Sequence, residues 1–328
     1  DALILNHAKS LAELPQGATI ATSSIRREKQ LLKLRPDLNI VPIRGNVDTR
    51  IQKMKDHNYD GLVLAAAGLK RLGKEDLITQ YLSINEMIPS PNQGTIAIEM
   101  LKNHPFLETI NSLKDIPLYK TVRTERLFLQ EMNAGCKEVI GANAEYIEKK
   151  IHLDVIYKDA IAHVVGKMPD DTVHEAIRQI NRQIYGKVTI VGGGTGDPDL
   201  LTLKAVKALQ QADCVLYDAL LGQEVLKFVP SNTELIFVGK REEFHTVTQD
   251  EINELLYQKA KQYQNVVRLK TGDAFIFGRG AEELRYLNDK GIRNSAVSGI
   301  SSIQSATCAY GIPLTDRYLS TGFVCLSG

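Results

Sequence analysis

Val188-Thr189-Ile190-Val191 runs directly into Gly192-Gly193-Gly194-Thr195-Gly196-Asp197, and this passage from strand to glycine turn decides the fold of the C-terminal half. A short β-branched run closed by glycines predicts a buried strand whose backbone then turns tightly against something close by. The pattern recurs downstream. Residues 214–217 lead to Asp218, residues 235–238 to Lys240, and residues 266–269 to Thr271-Gly272-Asp273. Strands alternating with helical segments predict a parallel sheet with crossover helices, and in such sheets ligands collect beyond the carboxyl ends of the strands. All four polar clusters are therefore expected on one edge. A dinucleotide reading of the glycine run, with Asp218 as the ribose acid, fails because Asp197 replaces the third glycine and would face a pyrophosphate.

Working upstream, the same logic predicts strands at 19–21, 39–43 and 61–65 and helices at 24–34, 47–55 and 66–72. The three strand ends carry Thr22-Ser23-Ser24-Ile25-Arg26-Arg27, then Arg44-Gly45-Asn46 with Arg50, then Gly68-Leu69-Lys70-Arg71. Helix N-termini offer N–H groups and the positive end of the dipole, and guanidinium forks grip carboxylates, so the expected ligand carries several carboxylates or phosphates. Arg35 reads instead as a solvated helix face. Residues 117–184 read as α+β: a helix with Glu125 and Phe128, strands at 142–147, 151–157 and 160–165, and a helix at 172–184. Gly186 is expected to end that helix in the left-handed conformation. A last strand is expected at 322–326.

The 328 residues are enough for two or three domains. With 40 Lys+Arg against 39 Asp+Glu the net charge is +1, so anion binding must be local, and neither nucleic acid nor a membrane is an expected partner. Cys136, Cys214, Cys308 and Cys325 are too far apart for Cys-x-x-Cys pairing, so neither metal nor disulfides are expected. No apolar run approaches the ~18 residues of a membrane span, and the expected location is the cytoplasm. The chain starts at Asp1 rather than Met, and both ends read as cut.

The strand-end run 22–27, Arg35-Pro36-Asp37-Leu38-Asn39-Ile40, Arg44-Gly45-Asn46, Ala65-Ala66-Ala67-Gly68-Leu69-Lys70-Arg71-Leu72-Gly73, Pro91-Asn92-Gln93-Gly94 and Ala134-Gly135-Cys136 together resemble hydroxymethylbilane synthase, or porphobilinogen deaminase, over residues 1 to about 184. The resemblance implies a periplasmic-binding-protein-like α/β domain at 1–112, including a segment that crosses to a preceding domain not in this chain, and a small α+β cysteine domain at 113–185. It further implies that Cys136 carries a dipyrromethane cofactor through a thioether. Ser24, Arg26, Arg27, Arg44, Arg50 and Arg71 would hold the acetate and propionate groups of cofactor and substrate, the substrate being porphobilinogen. A non-catalytic carboxylate-binding domain is the competing reading, and it has no need of Cys136.

From Gly186 onward the glycine turn 192–197, Leu216-Tyr217-Asp218, Val238-Gly239-Lys240-Arg241, Arg268-Leu269-Lys270-Thr271-Gly272-Asp273, Phe277-Gly278-Arg279-Gly280 and Gly311-Ile312-Pro313-Leu314-Thr315 resemble the uroporphyrinogen-III C-methyltransferase group of tetrapyrrole methylases. This implies the N-terminal α/β lobe of that fold at 186–328, with the other lobe missing. It also implies an S-adenosylmethionine pocket of Gly194, Thr195, Gly196, Asp197, Thr271, Gly272, Asp273, Ile276, Ser301 and Ser302. Asp218 would accept and Lys240 donate the proton, uroporphyrinogen III would be the substrate, and the methylase halves would pair in a homodimer. Thr195, Ala274 and Ser298 stand where the family has proline, Thr271 where it has glycine, and Asp316 where it has histidine. Another methylase of the same fold is the alternative.

Overall fold

A computed structural model describes residues 1–135, 138–219, 222–239 and 247–326. It divides into two compact units, Asp1–Ile180 and Asn181–Gly328.

The first unit contains a five-stranded sheet of β1 (Ala2–Leu5), β2 (Thr19–Ala21), β3 (Asn39–Val41), β4 (Gly61–Leu64) and β5 (Gln80–Tyr81), in the order β3-β2-β4-β1-β5. Its helices are α1 (Ile25–Leu34), α2 (Val47–Asp56) and α3 (Ala66–Arg71). Every residue of β1 and β4 is buried, and alternate side chains enter cores on opposite faces. Leu3, Leu5 and Val63 join Ile20 and Leu31 on one face. Ala2, Ile4, Leu62 and Leu64 join Ile51 and Met54 on the other. The helices start where the chain supplies caps: the Ser24 hydroxyl accepts from Arg27 N–H, and the Asn46 side chain accepts from Thr49 N–H.

The sheet is not wholly parallel, as the sequence suggested. β1 runs antiparallel to both β4 and β5, with Ala2 opposite Leu64. A four-residue apolar run has no period that would reveal its direction. The consequence is local but large: Asp1 lands on the edge where β2, β3 and β4 end.

The rest of this unit holds α4 (Leu107–Ser112), α5 (Ile116–Met132), the antiparallel meander β6 (Ile140–Ile147), β7 (Lys150–Tyr157) and β8 (Ala160–Gly166), and most of α6 (Pro169–Ile184). Glu148 and Lys149 both take positive φ, 49° and 63°, the geometry of a two-residue hairpin turn that continues the twist of its strands.

In the second unit β9 (Lys187–Gly192), β10 (Cys214–Tyr217), β11 (Glu234–Phe237), β12 (Asn265–Lys270) and β13 (Arg293–Val297) form an all-parallel sheet ordered β11-β10-β12-β9-β13. α7 (Leu203–Gln210) packs on one face, with α8 (Gln223–Leu226) contributing Val225 beside it. α9 (Gln249–Gln262) and α10 (Gly280–Asp289) pack on the other, and α11 (Ser302–Ala309) follows β13. β13 and α11 escaped the sequence reading because Arg293-Asn294-Ser295 is too polar to signal a strand. Conversely, residues 322–326 form no strand and are exposed.

Gly186 is not left-handed. It is glycine for another reason: a Cβ there would lie 1.9 Å from the Tyr263 carbonyl oxygen and 2.7 Å from that of Gln264.

Candidate functional site

In the second unit the parallel strands deliver their ends to one edge, and three of those ends touch through glycine. A Cβ on Gly299 would lie 2.1 Å from the Gly272 oxygen, and one on Gly192 would lie 2.5 Å from Gly299 N. Gly194 and Gly272 then exchange backbone hydrogen bonds, 3.2 Å and 2.6 Å, which tie the loops after β9 and β12. Gly194 and Gly196 have φ of 68° and 104°, open to glycine without strain. Asp197 caps the short turn Pro198–Leu200 by accepting from Asp199 N–H. Asp273 latches the next loop: one carboxylate oxygen accepts from Gly299 N–H at 3.0 Å and the other from Phe275 N–H at 2.8 Å. Ser301 caps α11, with Gln304 answering as a capping box. Thr195 Oγ1 lies 3.4 Å from Ser305 Oγ, and Ser302 is exposed.

Two clefts open above this edge. One of about 640 Å³ is lined by Asp218, Gln249, Arg268, Lys270, Thr271, Ile276 and Arg279, among others. Its neighbour, about 470 Å³ and mostly apolar, takes Ile276 and Ser301 with Phe275, Phe277, Leu314 and Phe323. The structure thus brings Asp218 together with Thr271 and Ile276. Of Gly194–Asp197, Gly194 is the residue whose backbone bonds the Thr271–Asp273 loop. Thr271 Oγ1 is buried without a hydrogen-bond partner. Lys240 lies outside the described residues.

Beneath the larger cleft is a charged cluster that the sequence reading missed. Arg268, 2% exposed, donates through Nη2 to Asp218 Oδ1 at 2.6 Å and through Nε to Glu283 Oε1 at 3.2 Å. Lys270 Nζ lies 2.9 Å from the same Glu283 oxygen. The signal was present: Arg268 and Lys270 stand two apart after Val266-Val267, on either side of Leu269, so both must project from one face.

In the first unit Asp1, its side chain fully buried, accepts from Arg26 Nη1 at 2.9 Å, from Arg27 Nε and Nη2 at 3.2 and 2.9 Å, and from Gln93 Nε2 at 3.0 Å. Arg26 also donates to the Ile88 carbonyl at 2.6 Å, and Arg27 to that of Val63 at 3.1 Å. Burial, with Arg27 alongside, pulls the Arg26 guanidinium down to about 9, and burial pulls Arg27 to about 10. These two arginines therefore already have a carboxylate. Arg44 is exposed and has no side-chain partner among the described residues. Arg50 donates to Gly45 O and Arg71 to Gly94 O, which leaves each with further N–H groups.

Arg35 is no solvated face. It forks onto Asp37 at 2.7 and 2.8 Å and donates to the carbonyls of Leu11, Leu14 and Pro15, clamping the turn ahead of β2. Cys136 lies outside the described residues. Buried Glu125 accepts from Ala144 N–H at 2.7 Å and Asn92 N–H at 2.5 Å. Burial raises its pKa, partly offset by those two hydrogen bonds. Among the described residues no group of three His, Cys, Asp or Glu could hold a metal, and no helix is long and apolar enough to cross a membrane.

Residues 1–109 match the family model described as porphobilinogen deaminase, dipyrromethane cofactor binding domain, and residues 187–327 match that for tetrapyrrole (corrin/porphyrin) methylases. The chain is similar to the porphobilinogen deaminase of Clostridioides difficile, 49% identical over 49% of this chain and 54% of that protein. It is also similar to the siroheme synthase of Vesicomyosocius okutanii, 33% identical over 92% of this chain and 67% of that protein. The crystal structure of Thermus thermophilus uroporphyrin-III C-methyl transferase complexed with S-adenyl homocysteine is 43% identical over 42% of this chain and 57% of that one, with a TM-score of 0.36. The chain spans about half or less of several relatives it matches, 35% of siroheme synthase 2 from Pectobacterium atrosepticum and 29% of the siroheme synthase of Actinobacillus pleuropneumoniae among them.

Proposed function

Because the chain belongs to the family of tetrapyrrole-biosynthetic enzymes that includes siroheme synthase, and carries a porphobilinogen deaminase domain ahead of its methylase part, we propose that it is a bifunctional tetrapyrrole enzyme. Its second unit methylates carbon atoms of uroporphyrinogen III, towards precorrin-2, with S-adenosylmethionine. The observation that carries this reading is the meeting, in one cleft, of Asp218 with the Thr271–Ile276 loop on a floor of glycine backbone. The residues fit such a group. Glycines 192 and 299 let backbone approach where any side chain would collide, Gly272 takes a φ of 66°, and the Thr271 hydroxyl is a buried polar atom in want of a partner.

S-adenosylmethionine, when bound, supplies an electrophilic methyl group. Thr271, Gly272, Asp273, Ile276, Ser301 and Ser302 hold and orient it, with Gly194–Asp197 supporting the loop behind. Carbon methylation also needs a fixed nucleophilic carbon and the loss of its proton. Asp218, directed into the cleft by Arg268, accepts that proton, and Lys240 is the matching donor.

For the first unit we propose polymerisation of porphobilinogen to hydroxymethylbilane on a dipyrromethane held at Cys136. Arg44, Arg50 and Arg71 take carboxylates at the strand ends, and Arg26 and Arg27, set by Asp1, line the same edge with Ser24. The same reading divides the chain at 1–112, 113–185 and 186–328 and pairs the methylase parts in a homodimer. Limited proteolysis and sedimentation test those two points. Intact mass tests the cofactor: protein from a porphyrin-making host should carry a dipyrromethane adduct that Cys136→Ser removes. An unmodified wild-type mass would overturn that part of the reading.

A further inference from the structure

Four ionisable side chains meet under the cleft of the second unit, three of them almost completely out of water. Glu283 is 0% exposed, Arg268 2% and Lys270 5%. Removing such groups from solvent costs several kcal/mol each unless partners repay it, and stability alone is poor reason to retain them. Their connections run in two directions. From Glu283, the Arg268 guanidinium bridges to Asp218 at the end of β10. Gln249 Nε2 also donates to Glu283 Oε1, at 3.2 Å, and to Asn253 Oδ1, at 3.0 Å. Gln249 is the first residue of α9, close behind the stretch that contains Lys240. Arg268 is fixed further by donating to the Leu269 carbonyl at 3.1 Å.

We propose that Glu283 and Arg268 are positioning residues for methyl transfer: Glu283 is the hub that holds Arg268, and Arg268 holds the carboxylate of Asp218 at the cleft. This rests on the reading of Asp218 as proton acceptor. Glu283 holds Arg268 Nε and Lys270 Nζ on a single oxygen, which fixes the guanidinium while its Nη2 reaches Asp218. Arg268, its own fork fixed by Glu283 and the Leu269 carbonyl, offers Asp218 a donor at a set position. Among the described residues the charged groups around Asp218 are Arg268 and Lys270 from β12, Glu283 from α10 and Arg279 from the loop before α10. Arg279 is itself paired with Glu282 at 2.8 Å.

Two substitutions in this one network should push Asp218 in opposite directions. Glu283→Gln leaves two cations facing Asp218 with one anion fewer, which favours its ionised form and lowers its titration midpoint. Arg268→Met removes its cation and leaves Glu283 behind, which raises the midpoint. Each shift should be about one pH unit. The measurement is carbon-13 NMR of the chain labelled at aspartate Cγ, with the Asp218 signal identified by its loss in Asp218→Asn. Arg268→Lys, which keeps the charge, should restore most of the wild-type midpoint. Shifts of the same sign in both variants, or none, would overturn the proposal. If Glu283→Gln does not fold, Lys270→Met takes its place and should raise the midpoint; an unmoved or lowered midpoint there would overturn it equally.

Methyl transfer by the same proteins separates the two levels. Loss of turnover in Asp218→Asn, with the acid limb of the pH profile moving down in Glu283→Gln and up in Arg268→Met, supports both. Full turnover in Asp218→Asn would sink the acceptor reading while the carboxyl titration still decided whether the network sets Asp218.

Discussion

The arginine-bearing strand ends of the first unit and the ion-paired cleft of the second stand on the same edge of similarly ordered sheets, yet they handle charge differently. In the first, a single carboxylate, Asp1, holds two arginines and leaves Arg44 unclaimed at the surface among the described residues. In the second, two carboxylates and two cations are matched, and the group left facing the cleft is the half-buried anion Asp218. A strand-end position shows where chemistry gathers; the internal counter-ions show which charge remains for a ligand. The first set of strand ends presents net positive charge, which favours a polycarboxylate under the proposed reading. The second presents a carboxylate in a balanced field and suits proton acceptance.

The sharpest way to break that contrast is at Asp218. Asp218→Asn should lower the turnover of methyl transfer by ~10² to 10⁴, as loss of an acid–base group does. Lys240→Met should do likewise. A fall of less than threefold in the aspartate variant would make Asp218 a structural partner of Arg268 and remove the difference between the two.

Gly299→Ala probes the backbone floor. With Gly272 O only 2.1 Å from the new Cβ, the three loops must separate, at a cost of about 1–3 kcal/mol in folding stability and with loss of cofactor binding. Chemical denaturation measures the first and calorimetry the second. An unchanged stability would mean that the loops do not meet as described.

In the first unit the prediction is a split between two arginines. Arg44→Leu should weaken holding of a carboxylate-bearing pyrrole chain about tenfold, as loss of one charge-assisted bond implies, and leave stability within about 0.5 kcal/mol. Arg26→Leu should weaken binding and also lower the melting temperature, because Asp1 and the Ile88 carbonyl lose a buried donor. Identical behaviour of the two variants would dissolve the distinction between claimed and unclaimed charge. Arg35→Leu should leave binding alone but lower the melting temperature by opening the Asp37 clamp.

Glu125 gives the smallest effect and a pH signature. Its folded pKa is raised, so the protonated form is favoured on folding. Its contribution is fully present below the ordinary value of 4.5 and is lost as pH rises through the folded value. Wild-type stability should fall across that window relative to Glu125→Gln, in which the slope disappears. A parallel pH dependence in both proteins would contradict the burial argument.

What the sequence revealed, and what it hid, follows from range. Strands such as 214–217 are written in neighbouring residues and were legible. The antiparallel course of β1 was not, because Ala2–Leu5 pairs with residues about 60 positions away and carries no turn to announce its direction. For the same reason the strand ends marked Arg26, Arg27 and Asp218 as site residues, while their partners Asp1, Arg268 and Glu283 stayed unseen. Gly186 shows the converse limit. It looked like a helix terminator, but the Tyr263 and Gln264 backbones that require glycine there come from another strand connection.

In the proposed reading the second unit binds S-adenosylmethionine at the glycine-lined strand ends, while Asp218, in the same cleft, serves proton transfer rather than cofactor binding. Titration calorimetry with S-adenosylhomocysteine tests it directly on the wild-type chain, Asp218→Asn and Asp273→Ala. The account predicts binding by the wild type, an affinity within about twofold for Asp218→Asn, and a loss of about tenfold or more for Asp273→Ala, whose carboxylate latches the loop to Gly299. No binding by the wild type, or an equal loss in both variants, would contradict it.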